Sequence, residues 1–274
     1  MPRLVAEAQK RDGGAAFVVA LRGFAEPWVR EWPHAVCGVG QAGKIFSALR
    51  AAGCRRVCIA GGLSRPSMGE LVRNFRLDLT GVKVALRVAR LLRMGDDGLL
   101  RGVAALFEER GFELVAAQSL LGELRAPEGA LGRVTPTPRD LEDIDCAARI
   151  VEARGPVDVG QGAIVAQGRC LAVETVFGTD AMLSMLAGRT DRHGASIPSG
   201  ALYKAPKPGQ DERLDVPTIG PRTVDAVRAA GLNGVAVEAG AVFVIDAEAT
   251  ARAADKAGVF VYGRPAAARP GKSA

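Results

Sequence analysis

Lysines and acids that could act on a phosphate are concentrated in the stretch YKAPKPGQDERLDVPTIG (203–220). Lys204 and Lys207 are interleaved with prolines, and a lysine ammonium is a good point-charge partner for phosphate. Proline restricts the backbone, so such a loop loses little conformational freedom when it holds charges toward a ligand. Candidate metal ligands or bases follow at Asp211, Glu212 and Asp215. Because Pro221 then starts a predicted helix with free N–H groups, the stretch predicts a diphosphate-binding loop; a rigid interdomain strap is the structural alternative.

Two glycine-rich loops follow predicted strands and could also contact phosphate. GVGQAGKI has the G-x-G-x-x-G spacing of a phosphate cradle at Gly38, Gly40 and Gly43, directly before a predicted helix. The acid expected about 20 residues further on is missing, so tight turns without a ligand stay an alternative. AGGLSRP (60–66) follows the next predicted strand, and in an open α/β sheet both loops would lie where ligands usually bind.

Other carboxylates lie at predicted helix starts. GDDGLL pairs Asp96 with Asp97, and VETVFGTDAML places Glu174 at a strand end and Thr179–Asp180 before a helix. Capping and complementarity to the helix dipole explain acids at these positions without any ligand. Metal binding at the first pair and a cleft lined by the second group are the functional alternatives.

The composition of the 274-residue chain narrows the classes of function. A net charge of +6 is compatible with nucleic-acid binding, but the basic residues are interleaved with 30 acids and only 5% of residues are aromatic. Nucleic-acid binding is therefore not predicted. With only His34 and His193, a histidine-rich zinc site and a Ser–His–Asp triad are disfavoured, so a metal would have oxygen ligands, as Mg²⁺ prefers.

The sequence shows no sign of export or of membrane insertion. No apolar run reaches the ~18 residues typical of a spanning helix, and MPRLVAEAQKRDGG has no apolar signal region. The five cysteines form no CxxC pair and fit a reducing compartment. These features predict a soluble cytoplasmic protein.

The order of predicted helices and strands indicates two domains. Residues 1–134 alternate strands (15–21, 34–40, 55–62 and one from Phe112) with helices (43–53, 84–94 and 96–110), which indicates an α/β domain with a parallel sheet. A proline- and glycine-rich stretch (125–140) precedes an α+β domain at 135–274. Its predicted elements are helices at 137–155, 179–187, 221–230 and 247–257, and hairpins turning at Gln167–Gly168 and near Gly240.

Several motifs resemble, in order and with similar spacing, the LpxI family of UDP-2,3-diacylglucosamine pyrophosphatases: GKIFSALRAAGC, AGGLSRP, GDDGLL, DVGQGAIV, GTDAML, KAPKPGQD and DVPTIG. The resemblance runs to about Gly263. It implies a Rossmann-like N-terminal domain and substrate bound between two domains. It also implies Mg²⁺-dependent hydrolysis to UMP and 2,3-diacylglucosamine 1-phosphate (lipid X), a step of lipid A biosynthesis. A protein that binds a nucleotide sugar or acylated sugar without hydrolysing it is the alternative.

The resemblance also implies roles for single residues. The family motif DLPTIG carries an essential aspartate, which places that catalytic role, together with Mg²⁺ binding, at Asp215 in DVPTIG. Lys204 and Lys207 would neutralise the diphosphate as further catalytic residues. Candidate substrate contacts are Gly43, Lys44, Gly61, Gly62, Ser64, Arg65, Gln161, Glu174, Thr179, Asp180, Met182, Thr218 and Gly220. A groove for the acyl chains is expected along Met182, Leu183, Met185 and Leu186, with ordinary core as the alternative for this face.

The beginning of the sequence departs from the family pattern. Family members begin with a strand and glycine loop of the form LGLIAGGGxLP, whereas this sequence starts at MPRLVAEA, where that loop would end. The expectation is an N-terminal sheet without its first strand, with unpaired edges on the neighbouring strands. As partners we expect the acylated nucleotide-sugar substrate and peripheral contact with the inner membrane, and we leave a homodimer open.

Overall fold

A computed structural model describes residues 1–38, 40–61, 95–157, 159–189, 199–208, 211 and 213–266, and of residues 95–97, 99 and 156 it describes the backbone. The chain forms two compact units. The first comprises Met1–Gly122 together with Asp211–Asp215, and the second comprises Glu123–Gln210 and Val216–Ala274. The chain therefore passes between the units three times, and the last two passages enclose the short stretch DERLD.

Two pairs of parallel strands belong to the first unit. Strands β1 (Val18–Leu21) and β2 (His34–Cys37) pair in parallel, as do β3 (Arg56–Val57) and β4 (Glu113–Leu114). The helices are α1 (Pro2–Arg11), α2 (Ala42–Ala51), α3 (Gly95–Glu108) and α4 (Ala117–Leu120), with a 3₁₀ turn at Pro27–Glu31. Among the described residues, β1 pairs only with β2 and β3 only with β4. Parallel pairing fits the predicted α/β alternation, while the Rossmann-like strand order stays a prediction.

Aromatic side chains form much of the core of the first unit. Phe46 of α2 meets Phe107 of α3 edge-on with ring centroids 5.2 Å apart, and Phe112 stacks on Phe46 at 6.1 Å. Phe46 and Leu49 lie three positions apart on the buried face of α2, which is the helical periodicity that predicted this element. Cys37 is fully buried at the end of β2.

A mixed sheet forms the centre of the second unit. Its strands are β5 (Gly129–Ala130), β6 (Gly162–Ala166), β7 (Arg169–Val173), β8 (Ala201–Lys204), β10 (Gly234–Glu238) and β12 (Phe260–Arg264). Their order across the sheet is β5-β12-β10-β8-β6-β7. β8, β10 and β12 are parallel, whereas β6 is antiparallel to both β8 and β7. Outside this sheet, β9 (Thr218–Ile219) and β11 (Phe243–Val244) form a parallel pair.

Four helices of the second unit contribute to two buried clusters. They are α5 (Pro138–Arg154), α6 (Gly178–Leu186), α7 (Pro221–Ala229) and α8 (Ala247–Ala257). Ile144 and Val151 of α5 pack in one cluster with Tyr203, and Leu183 of α6 packs in the other with Leu202. Side chains alternate between the two faces of a sheet along each strand. Lys204 therefore lies on the same face of the sheet as Leu202, and α6 packs on that face.

The boundary between the two units also lies at a different position from the predicted one. Gly129 and Ala130 of β5 pair with β12, and the residues from Glu123 to Gln210 belong to the second unit. The chain consequently enters the second unit at 122/123, earlier than the predicted 134/135. The predicted strand from Phe112 ends after β4, and α4 follows it.

Of the two predicted hairpins, one is confirmed and one is wrong. β6 and β7 pair around Gln167 and Gly168, whose φ values of 51° and 73° give the left-handed residues that a two-residue hairpin turn requires. The hairpin near Gly240 does not form, because β10 already has β8 and β12 as parallel neighbours on its two sides. β11, the expected second arm, pairs with β9 instead.

Helix α5 begins with a capping box. The Thr137 Oγ1 atom accepts a hydrogen bond from the Asp140 N–H at 3.2 Å, and Asp140 Oδ2 accepts one from the Thr137 N–H at 2.9 Å. Thr137 is the N-cap residue, and Asp140 takes the partner position of the box. Its other oxygen accepts from Asn233 Nδ2 at 2.8 Å, which ties the start of α5 to the residue before β10.

Replacing Thr137 with alanine should lower the free energy of unfolding by about 1 kcal/mol, the usual cost of losing a hydroxyl N-cap. The Thr137→Ser variant keeps the hydroxyl and should stay close to the wild type. Urea unfolding at neutral pH measures both. An equal loss in the two variants would show that the methyl group, and not the cap, stabilises this end of the helix.

Candidate active site

Charged residues of neighbouring strands lie together at one edge of the six-stranded sheet, where these strands end. β8 ends at Lys204, β10 at Glu238 and β12 at Arg264, and the register places Glu238 opposite Arg264. β6 begins at Gly162, opposite Lys204, and the chain leaves β7 at Glu174. The carboxyl ends of parallel strands form the usual ligand-binding edge of an α/β sheet. This edge is therefore the candidate site of the second unit.

Glu174, Thr179 and Lys204 form a chain of hydrogen bonds at this edge. The Lys204 Nζ atom lies 2.9 Å from Thr179 Oγ1, which lies 3.0 Å from Glu174 Oε1. An ammonium can only donate and a carboxylate can only accept, so Thr179 accepts from Lys204 and donates to Glu174. Glu174 Oε2 accepts from the Gln161 N–H at 3.2 Å. The structure thus brings together four residues that the sequence had singled out.

The absence of a side chain at Gly162 makes room for the Glu174 carboxylate. A Cβ atom at Gly162 would lie 3.0 Å from Glu174 Oε2 and 3.5 Å from Met182 Cε. Glu174 is only 9% exposed, and a buried carboxylate needs hydrogen-bond donors. The Thr179 hydroxyl and the Gln161 amide supply them.

Arg154, at the end of α5, holds the backbone around Glu174. Its guanidinium donates to the carbonyl oxygens of Val159 at 2.7 Å, Glu174 at 2.8 Å and Gly162 at 3.4 Å. Partial burial lowers the pKa of this guanidinium, which nevertheless remains charged at any physiological pH. The turn that it holds includes Gly160, where φ is 52° and a Cβ would overlap the Glu174 carbonyl oxygen. A glycine is therefore required at this position.

Sequence reasoning missed Arg154. Its partners are backbone carbonyls, which leave no pattern of residue types along the chain. The one available signal was its place in the last turn of a predicted helix, where a basic side chain can bond carbonyl groups.

The proline-flanked lysine loop packs against the second unit. Ala205 and Pro206 are buried, and the Ala205 N–H donates to the Gln161 carbonyl oxygen at 3.0 Å. Pro208 lies against Gly155, where a Cβ would overlap the proline ring. The prolines therefore fix the path of the chain directly after Lys204. Lys207 is half-buried in this loop.

Asp215 is the last residue of the segment 211–215. This segment belongs to the first unit, whereas the residues before and after it in the chain belong to the second. Leu214 fixes the segment, because it is buried with Ala104 and Leu114. Asp215 itself is half-buried. The next residue, Val216, belongs to the second unit, so the candidate catalytic acid lies where the chain changes units.

Arg213 fastens the same segment to α3. Its guanidinium lies 2.7 Å from an Asp211 carboxylate oxygen and 2.8 Å from Glu108 Oε1. The hydrogen bond from Arg213 lowers the pKa of Asp211. Asp211, a predicted metal ligand or base, is therefore engaged in an ion pair, and Glu212 lies outside the described residues.

Polar groups of the first glycine loop form hydrogen bonds with one another and with the strand before it. Gln41 Oε1 accepts from the Gly38 N–H at 2.9 Å, and Lys44 Nζ donates to the Val36 carbonyl oxygen at 3.2 Å. A phosphate cradle depends on N–H groups that face the anion, and here one of them faces Gln41. Substrate contacts at Gly43 and Lys44 stay predictions.

The second glycine loop is described only at its start. Gly61 has a φ of 100°, and a Cβ there would lie 3.0 Å from Pro2 Cγ, so the loop meets the beginning of α1. The other predicted contacts, Gly62, Ser64 and Arg65, and the side chains of Asp96 and Asp97 lie outside the described residues.

The predicted substrate contacts Thr218 and Gly220, just before α7, form hydrogen bonds with residues close to them in the chain. Thr218 Oγ1 donates to the Val216 carbonyl oxygen at 3.0 Å, and the Gly220 N–H donates to Thr223 Oγ1 at 3.3 Å. On α6, the predicted contact Asp180 is exposed in the first turn, where an acid complements the helix dipole.

Most residues of the acyl groove expected along α6 are core residues in the structure, so the groove stays a prediction. Met182, Leu183 and Leu186 are buried in the hydrophobic core, and only Met185 of that set is exposed. Their helical spacing turns them toward the sheet. Met182 is therefore part of the core, and its contact with the substrate stays a prediction.

The described part of the chain contains no group of three or more histidine, cysteine or acidic side chains that could hold a metal ion. The half-buried carboxylate of Asp215 nevertheless offers the oxygen ligand that Mg²⁺ prefers. None of the helices within the described ranges has the length and apolar character needed to cross a membrane.

Known proteins match the chain over both units. The family model of the LpxI N-terminal domain matches residues 1–124, and that of the LpxI C-terminal domain matches residues 127–262. A curated relative from Caulobacter vibrioides, UDP-2,3-diacylglucosamine pyrophosphatase LpxI, is 44% identical over 272 residues, which cover 98% of this chain and 96% of the relative. With both domains matched in order and a relative aligned over nearly its whole length, the chain belongs to the LpxI family.

Proposed function

We propose that this chain hydrolyses the pyrophosphate bond of UDP-2,3-diacylglucosamine to UMP and 2,3-diacylglucosamine 1-phosphate, as a step of lipid A biosynthesis. The observation that carries the proposal is the 44% identity, across 98% of the chain, to a pyrophosphatase named for that substrate. The group of Glu174, Thr179 and Lys204 supports it, because an ammonium held at strand ends suits a diphosphate. A Rossmann-like first unit is part of the same proposal.

The proposed roles follow from the chemistry of diphosphate hydrolysis, which depends on charge neutralisation and on the placement of the attacking water. Asp215 orients or deprotonates the water. Lys204 and Lys207 neutralise the diphosphate oxygens. Mg²⁺, when bound, supplies further charge neutralisation at these oxygens, and Asp215 is the residue that would hold it.

Hydrolysis of UDP-2,3-diacylglucosamine in ¹⁸O-water tests the proposal. We expect Mg²⁺-dependent release of UMP and a single ¹⁸O atom in 2,3-diacylglucosamine 1-phosphate, which reports attack at the sugar-side phosphorus. An Asp215→Ala sample purified in parallel controls for contaminating hydrolases. Tight substrate binding without release of UMP would instead identify a binding protein.

We also propose that the second unit contacts the membrane that holds its diacylated substrate. Val176 and Phe177, in the turn between β7 and α6, are 68% and 80% exposed. They follow Glu174 with only Thr175 between, so this apolar turn adjoins the candidate site in sequence. Exposed apolar side chains at a turn suit the interfacial layer of a bilayer, and a net charge of +6 favours an anionic surface.

Replacing Val176 and Phe177 together with serine should weaken binding to mixed zwitterionic and anionic phospholipid vesicles about tenfold or more, because burial of each side chain stabilises by on the order of 1–3 kcal/mol. Co-sedimentation measures the bound fraction. The Phe24→Ser variant is the control, because Phe24 is a 37% exposed phenylalanine of the first unit, and it should bind like the wild type. Unchanged binding by the double variant contradicts the membrane role; a raised KM with unchanged vesicle binding would assign this turn to the acyl chains of the substrate.

A further inference from the structure

We propose that Thr179 is a positioning residue: its hydroxyl, held by Glu174, fixes the Lys204 ammonium where it meets the diphosphate of the substrate. The inference rests on the proposed function, because it takes Lys204 to act on a diphosphate. It gives Thr179 and Glu174 a role that requires no contact between them and the substrate.

A lysine at a strand end needs a partner to hold its charge in one place. The ammonium is a compact charge on a flexible stem. Strand pairing with Gly162 on one side and Val237 on the other fixes the Lys204 backbone, but it fixes only the origin of the side chain. The contact of 2.9 Å between Nζ and Thr179 Oγ1 fixes the charged end.

Thr179 can hold the ammonium because Glu174 accepts its hydroxyl proton. A hydroxyl has one O–H donor and two acceptor lone pairs. With the O–H directed at Glu174 Oε1, 3.0 Å away, a lone pair accepts from Lys204. This contact uses one of the three ammonium donors, and a diphosphate can accept from the others.

Glu174 is a fixed acceptor because its own atoms are bonded on several sides. Its N–H donates to the Gly162 carbonyl oxygen at 2.8 Å, and its carbonyl oxygen accepts from Arg154 at 2.8 Å. Its second carboxylate oxygen accepts from the Gln161 N–H at 3.2 Å. If the Thr179 hydroxyl turned away, a carboxylate that is only 9% exposed would lose a donor, which is unfavourable.

The charges of this group favour an anion. Arg154 and Lys204 are cations: Arg154 donates to the Glu174 backbone carbonyl, and Lys204 is linked to the Glu174 carboxylate through Thr179. Two positive charges against one negative charge leave a positive surplus in this group. Glu174 therefore orders Lys204 through Thr179 while the group as a whole still attracts a diphosphate.

The test compares Thr179→Val with Thr179→Ser. Valine keeps the branched shape and removes the hydroxyl, whereas serine keeps the hydroxyl. We expect kcat/KM for UDP-2,3-diacylglucosamine to fall about tenfold in Thr179→Val, the scale of a hydrogen bond to a charged group. Thr179→Ser should stay within about twofold of the wild type and keep its Tm. Thr179→Val removes a donor from the buried Glu174 carboxylate and should lower the Tm by a few degrees, so rates are compared per folded molecule. In a Lys204→Met background, Thr179→Val should cause no further loss, because no ammonium remains to be positioned.

The outcomes separate this role from the function on which it rests. Unchanged kcat/KM in Thr179→Val, beside a large loss in Lys204→Met, overturns the positioning role and leaves the proposed function intact. A further loss when Thr179→Val is added to Lys204→Met also overturns it, because Thr179 would then act independently. No loss in Lys204→Met overturns both the positioning role and the part of the proposed function assigned to Lys204. Thr179→Ala provides the same comparison if the valine variant does not fold.

Discussion

Replacing Asp215 with asparagine is expected to lower the turnover of UDP-2,3-diacylglucosamine by about a hundredfold or more, the range for the loss of a general base. Asparagine keeps the volume of the side chain but cannot take a proton from water. Substrate affinity should fall far less, because Lys204 and Lys207 remain to bind the diphosphate. Steady-state kinetics and Tm, measured on the same purified protein, separate lost chemistry from lost folding.

Asp211→Asn is the matched control, because Asp211 is an acid of the same short segment that pairs with Arg213 at 2.7 Å. Its removal should lower stability by less than about 1 kcal/mol, as for other partly exposed pairs, and should leave turnover per folded molecule unchanged. Since Arg213 lowers the pKa of Asp211, the stabilising contribution is present above the unfolded pKa of about 4 and is lost as the pH falls through the lower folded value. A neutral assay therefore compares the two variants where this ion pair is formed.

Three outcomes would contradict the assignment of Asp215. Near-normal turnover in Asp215→Ala would remove the acid from the mechanism. Equal losses of turnover in Asp215→Asn and Asp211→Asn would show that the segment needs its acids for folding or placement. A large fall in Tm with little loss of rate per folded molecule would likewise give Asp215 a structural role.

The sequence predicted much of the candidate site of the second unit but not how it is held together. Gln161, Glu174, Thr179 and Lys204 were all named from motifs, because charged residues beside glycines and prolines mark the ends of strands and helices. The sequence treated Thr179 as a substrate contact, whereas the structure joins it to Glu174 and Lys204. Arg154 could not be named, because its bonds go to backbone carbonyls that every residue carries.

Element positions were easier to predict than element partners. The strand β10 was expected, yet its expected hairpin with β11 is wrong, because its neighbours β8 and β12 come from distant parts of the chain. Turn residues mark where a strand ends, but they do not say which strand lies beside it. Met182 shows the same limit for helices, because apolar residues at helical spacing suit a ligand groove and a core equally well.

Removal of divalent cations with a chelator is expected to abolish turnover, and added Mg²⁺ should restore it. A diphosphate carries negative charge throughout its hydrolysis, and the two lysines proposed to meet it would neutralise only part of that charge. Calcium should not substitute fully, since it takes more ligands at longer distances than Mg²⁺ does. Full turnover after exhaustive chelation would contradict the proposed metal dependence.

The binding of the metal itself provides a readout that does not depend on turnover. Protein sites for Mg²⁺ commonly supply one or two carboxylates and leave the remaining positions to water and substrate phosphates. With Asp215 as the proposed carboxylate, Mn²⁺ used as a paramagnetic probe should bind weakly to the free protein. It should bind at least tenfold more tightly in the presence of a non-hydrolysable UDP-sugar analogue, because the phosphates of the analogue would supply further oxygen ligands. Asp215→Asn should remove most of this gain, whereas Asp211→Asn should keep it. Tight Mn²⁺ binding without the analogue, unchanged in Asp215→Asn, would place the metal on other residues and end the role of Asp215 as its ligand.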